Sequence, residues 1–225
     1  MHLPPLRFTK FQIAVHLLAW LPLLVLIWDA LNDNLTVNPI QTITFRTGKF
    51  ALLFLTLSLS ITPLHIITGW NPLVRVRRAL GLYAFMYAAL HFLTFSGLDY
   101  GFALDLIVAE IAQKPYIIVG LSALSILLAL ALTSTKGWQQ RLRKNWKRLH
   151  RLVYVASLLV IVHYVWLVKN HQGEPWYWGT VVVFLLIMRI PFVRRTVISW
   201  RLQLKQRRPT RRSSQSSLQT EPPDI

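Results

Sequence analysis

The sequence predicts an all-α fold, a polytopic bundle of six membrane-spanning helices. Three observations predict it. Of 225 residues, 54% are hydrophobic, and mean hydropathy is +0.43. The apolar residues gather in stretches of about 17–20 rather than in amphipathic stripes, which is the length that crosses a hydrocarbon core about 30 Å thick. Positive charge alternates from one connection to the next, and histidines recur inside the stretches, where ionisable groups are costly and mark function. The spans read as roughly 11–31, 49–68, 79–97, 116–133, 150–168 and 176–193.

The first span follows Thr9 and carries His16, Trp20 and Pro22. It is long and poor in small residues for cleavage, so it reads as a retained span rather than a signal peptide. The connection LNDNLTVNPIQTITFRTG is polar and proline-interrupted and reads as a loop. The second span is expected to end at ITPLH, where Pro63 disfavours continued helix. A short basic loop leads to the third span, RALGLYAFMYAALHFLTFSG, which contains His91. GFALDLIVAEIA reads as a short interfacial helix. Pro115 and Tyr116 open the fourth span.

The connection TSTKGWQQRLRKNWKRLHR sets Trp138 and Trp146 on one face and is expected to lie along anionic lipid headgroups before running into the fifth span. HQGEPWYWG reads as a tight turn with aromatic belt residues before the sixth. Beyond Arg195 the apolar pattern is lost, and the end of the chain is expected to be disordered. The organisation is then a short N-terminal segment (1–10), one transmembrane domain (11–195) and a basic tail (196–225), with no legible internal repeat.

The net charge of +17 invites a nucleic-acid partner, but its distribution excludes one. Arg7 and Lys10 precede the first span; Arg75, Arg77 and Arg78 follow the second; seven cations from Lys136 to Arg151 join the fourth to the fifth; nine follow from Arg189 onward. The other connections hold only Arg46, Lys49, Lys114 and Lys169, together with Asp29, Asp33, Asp99, Asp105, Glu110 and Glu174. This is the positive-inside pattern, and it puts both termini in the cytoplasm.

The chain has no cysteine. Disulfides, iron–sulfur clusters, thiolate-bound haem and covalent c-type haem are excluded, leaving non-covalent haem held by His, Met or Tyr. His91 lies about 18 Å into the third span and His163 about 20 Å into the fifth. A lone intramembrane histidine reads as one bonded to a neighbouring helix. Two at equal depth read better as axial ligands of one haem iron, so His91 and His163 are the candidate outer pair.

His150 precedes His163 by 13 residues, about 3.6 turns and 20 Å, too far for one haem to bridge. It reads as the ligand of an inner haem or flavin site at the cytoplasmic boundary. The position 13 before His91 is Arg78, which suits a haem propionate better than iron, with Arg77 beside it. His16 is the first candidate for the inner partner and His65 the second, while His2 and His171 read as solvated. There is no Gly-rich phosphate loop, zincin pattern or Ser/His/Asp set, and the span centres hold too little charge for an ion-coupled transporter.

RVRRALGLYAFMYAALHFLTF with ITPL before it, ALTSTKGWQQRLRKNWKRLHRLVYV and IVHYVW resemble the MsrQ (formerly YedZ) family, within the ferric-reductase-like transmembrane superfamily. The resemblance covers nearly all of residues 8–195. It implies an inner-membrane subunit that takes electrons from quinol or a cytoplasmic flavin reductase. Through b-type haem, one or two per chain, they would pass to a periplasmic molybdopterin-containing methionine sulfoxide reductase. His91, His150 and His163 match the family's motif histidines. FMN is implied by the resemblance alone. The runner-up reading is a haem-bearing quinol oxidase or ferric reductase subunit for another periplasmic acceptor. With no room for a nucleotide-binding domain, the chain is expected to be a relay more than a self-contained enzyme.

Overall fold

The computed structural model describes residues 9–168 and 173–206. All regular elements among the described residues are helices: α1 Lys10–Leu31, α2 Pro39–Thr68, α3 Pro72–Leu93, α4 Leu104–Gln113, α5 Pro115–Leu132, α6 Lys136–Leu149, α7 Leu152–Leu167, α8 Glu174–Ile187 and α9 Pro191–Gln206. Four of these are long and apolar enough to cross a membrane: α1, α2, α3 with its extension, and α5. A fifth span is available if α6 and α7, bent by 50° at their junction, are taken together. The expected sixth is α8, which at 14 residues reaches only about 21 Å. Pro191 shortens it, since proline cannot donate to the carbonyl of Ile187 and its ring crowds that turn.

Three expected breaks are helical instead. The polar connection before the second span folds into α2 from Pro39 onward, because Asn38 caps the helix through Gln41 N at 3.1 Å and a proline is well suited to the first turn. Pro63 does not end α2. It leaves the carbonyl of Leu59 without its helical donor, and Arg189 fills that vacancy from beyond α8 with a 2.6 Å hydrogen bond. The helix therefore continues to Thr68 and stops at Gly69, whose φ of 71° suits glycine. The expected turn HQGEPWYWG is helical from Glu174 onward.

The expected interfacial segment is α4; its Glu110 pairs with Lys114 four residues on, and that contact, with the Tyr100 hydroxyl, holds the Glu110 carboxyl below its usual range. The basic connection is α6, amphipathic and with no buried residue. A backbone kink interrupts it at Arg143. The tail is helical to Gln206, and the end expected to be disordered lies outside the described residues.

α2 packs most closely on α3, and α5 on α7; α1 lies at the rim with only Ala19 and Leu26 buried. The core forms where small and aromatic residues let α2 and α3 approach: Phe54, Leu55, Leu80, Ala84 and Tyr87, the last with no exposed surface. Tyr87 satisfies its buried hydroxyl on the carbonyl of Ala19 at 2.8 Å.

A repeat is present that the sequence alone did not disclose. Shifted by 72 positions, the α2–α3 pair overlays the α5–α7 pair at Gly48/Gly120, Ala51/Ala123, Leu52/Leu124, Leu55/Leu127, Leu80/Leu152, Ala84/Ala156 and His91/His163. Ala84 and Ala156 are both fully buried. So few identities, diluted among interchangeable aliphatic residues, are invisible until the packing shows which positions matter.

Candidate functional site

His91 on α3 and His163 on α7 come together. Their ring centroids are 6.2 Å apart and their planes cross at 82°. Each ring is oriented by the same device. His91 Nδ1 lies 2.8 Å from the carbonyl oxygen of Thr44, and His163 Nδ1 lies 2.8 Å from that of Tyr116. A carbonyl can only accept, so each Nδ1 carries the hydrogen, and each Nε2 keeps its lone pair. One turn beyond each carbonyl stands a glycine. A Cβ at Gly48 would come within 3.1 Å of His91 Nδ1, and one at Gly120 within 2.8 Å of His163 Nδ1. The two histidines are therefore held by two copies of one cradle, a carbonyl and a glycine four residues apart on a neighbouring helix. A π-helical turn, Thr94–Asp99, continues α3 three residues after His91.

This pair fits one particular kind of guest. Two imidazoles bound on opposite sides of one metal at about 2.0–2.1 Å have centroids about 6 Å apart, as here. Among the described residues no three His, Asp or Glu groups converge on a metal-sized site. A pair at this separation can supply two ligands and leave the other positions to the guest, which is what an iron macrocycle requires.

His150 lies elsewhere, at the junction of α6 and α7. Its Nε2 is 3.3 Å from Thr133 Oγ1, and its ring is 4.1 Å from that of Trp146. The Thr133 hydroxyl already donates to the Ala129 carbonyl at 2.7 Å, so His150 Nε2 donates and Nδ1 carries the lone pair. This is the reverse of the outer pair. His16 is 2.8 Å from the Tyr83 hydroxyl on α3, and His65 Nδ1 meets the Trp70 carbonyl at 3.2 Å. The sequence-predicted residues are thus brought together at the outer site only; His16, His65 and His150 engage different partners. Arg77 and Arg78 both expose their side chains at the start of α3. His2 and His171 lie outside the described residues.

Three features were missed in the sequence. Thr44, Gly48, Tyr116 and Gly120 were hidden because a carbonyl contact leaves no side-chain signature; the G-to-H spacing shared by the two hairpins is the signal that finds them. Arg189 was counted with the basic belt. A cleft of about 690 Å³ opens at the end opposite the basic connections, lined by Phe45, Lys49, Tyr164 and Glu174 among others. Lys49 and Glu174 pair across it at 2.9 Å.

Apolar helices that bring two imidazoles to one depth define a ferric-reductase-like transmembrane protein, and the family described as ferric reductase like transmembrane component matches residues 44–161. The protein-methionine-sulfoxide reductase heme-binding subunit MsrQ of Herminiimonas arsenicoxydans is 43% identical over 192 residues, covering 84% of this chain and 88% of that one. Its counterpart in Xanthomonas euvesicatoria pv. vesicatoria is 42% identical over 182 residues, covering 78% and 84%. The chain belongs to the MsrQ family.

Proposed function

We propose that the chain is the haem-binding membrane subunit of a methionine sulfoxide reductase system. In this reading it passes electrons from quinol or a cytoplasmic flavin reductase to a periplasmic molybdopterin-containing catalytic subunit. The observation that carries the reading is the His91–His163 pair, 6.2 Å between ring centroids with both Nδ1 atoms committed to carbonyls. When bound, a b-type haem there would supply reversible one-electron chemistry. The chain's own residues do the rest. The Thr44 and Tyr116 carbonyls fix tautomer and ring direction and raise the basicity of each Nε2. Gly48 and Gly120 let α2 and α5 close on the rings. The surrounding apolar helices exclude water.

An inner site is proposed around His150, with Arg77 and Arg78 supplying charge to a propionate or phosphate. There His150 would exchange its bond to Thr133 to present Nε2. FMN has no support beyond the resemblance. The charge alternation supports a multi-pass inner-membrane protein with both termini in the cytoplasm, which puts the outer pair nearer the periplasm.

The test is a reduced-minus-oxidised visible spectrum of the purified protein with haem per chain quantified. His91→Ala and His163→Ala should each abolish the low-spin bis-histidine signal. Full haem and an unchanged spectrum in both variants would overturn the assignment.

A further inference from the structure

The basic end of the bundle carries charge that nothing in the described chain balances. All six acids among the described residues, Asp29, Asp33, Asp99, Asp105, Glu110 and Glu174, lie at the opposite end. Arg189 is nonetheless drawn inward between α7 and α2. One guanidinium nitrogen donates to the Tyr154 hydroxyl at 2.8 Å and the other to the Leu59 carbonyl at 2.6 Å. Its carbon stands 5.0 Å from the centre of the Tyr154 ring. Its Nε is buried and has no partner among the described residues. These contacts orient the guanidinium without neutralising it, because a phenol and a carbonyl are neutral. The Arg77 backbone carbonyl accepts from Ser58 Oγ at 3.1 Å, one residue before Leu59, so Arg77 stands near Arg189, and its charge acts on both Arg189 and His150. Three basic side chains thus share one small region at a membrane boundary, and Arg77 makes no side-chain hydrogen bond or ion pair to any described residue.

Drawing one cation inward without a counter-charge is unfavourable, and a second cation beside it adds repulsion. A structural role alone does not ask for this. The Leu59 carbonyl needs only a donor, which a neutral amide could supply. Two neighbouring guanidiniums, one of them pinned, are suited to a planar or tetrahedral oxyanion.

We infer that Arg189 and Arg77, with Tyr154 holding Arg189 in place, form an oxyanion-binding site whose ligand is a carboxylate or phosphate brought from outside the chain. Two sources carry that chemistry: a propionate of a haem in the inner site, or the phosphate of an anionic phospholipid. The inference rests on the proposed inner site only for the first source. It adds Arg189 to that site as the primary binding residue, in the position given above to Arg78.

The experiment compares wild type, Arg189→Gln, Arg189→Lys and Arg77→Gln, purified in mild detergent, by haem per chain and by phospholipid phosphorus per chain. Arg189→Gln keeps an amide donor on the Leu59 side and removes the charge, together with the contact to Tyr154. If the ligand is a propionate, Arg189→Gln and Arg77→Gln lose one haem while phosphorus is unchanged. If it is a lipid, bound phosphorus falls and haem is unchanged. Affinity should drop about tenfold or more in either case, and Arg189→Lys should retain most of it. Unchanged haem and phosphorus in both glutamine variants would overturn the inference. Should Arg189→Gln not fold, Arg77→Gln decides, since it breaks no side-chain hydrogen bond or ion pair among the described residues. A wild type without haem would sink the proposed function and leave the lipid source to be read from phosphorus alone.

Discussion

Gly48 stands to His91 as Gly120 stands to His163. Each glycine lies one turn past the carbonyl that orients its histidine, and each leaves no room for a methyl group without displacing the ring. The separation of 47 residues between carbonyl and histidine is the same in both halves. The symmetry places two equivalent imidazoles opposite one another, which two unrelated helix pairs would do only by coincidence.

Gly120→Ala should be the more damaging of the two glycine substitutions. Its Cβ would come within 2.8 Å of the ring, against 3.1 Å at Gly48, and overpacking of this kind costs about 1–3 kcal/mol. Haem retention should fall about tenfold for Gly120→Ala and less for Gly48→Ala. Equal, wild-type haem content in both variants would show that the cradle does not hold the rings.

Arg189 and Pro63 should be energetically coupled. Arg189→Met strips the Leu59 carbonyl of its donor and should cost about 1–3 kcal/mol. Pro63→Ala restores a helical N–H to that carbonyl. The double variant should therefore recover stability that the single arginine variant loses, measured as thermal melting in detergent. Simple additivity of the two effects would remove the explanation for the uninterrupted α2.

Loss of His150 should leave the outer pair intact. His150→Ala is expected to keep the bis-histidine spectrum of His91 and His163 while reduction by a cytoplasmic-side donor falls to the background rate. Stopped-flow reduction at the wild-type rate, with all cofactors retained, would make His150 a structural interfacial residue and the chain a single-haem relay.

The charge alternation predicts orientation. A reporter active only in the periplasm should be silent when fused after Arg195 and active when fused after Tyr100. The reverse result would invert the membrane orientation and the direction assigned to electron flow.

By itself the sequence determined the all-helical membrane fold, the alternation of basic and acidic ends, and the pairing of His91 with His163. Each is written in a quantity that a linear reading can sum: hydropathy over about 20 residues, charge per connection, and depth at 1.5 Å per residue. What only the tertiary structure decided depends on groups far apart in the chain meeting in space. Pro63 ends a helix in isolation, yet α2 runs on because Arg189 arrives from α8's end to take the freed carbonyl. The tautomers of His91 and His163 follow from backbone oxygens on other helices, and no residue type announces a carbonyl contact. The same holds for the 72-residue repeat and for the opposite nitrogen presented by His150. A hydrogen bond satisfied across the bundle outweighs the local preference of either partner, since inside a membrane there is no water to satisfy it instead.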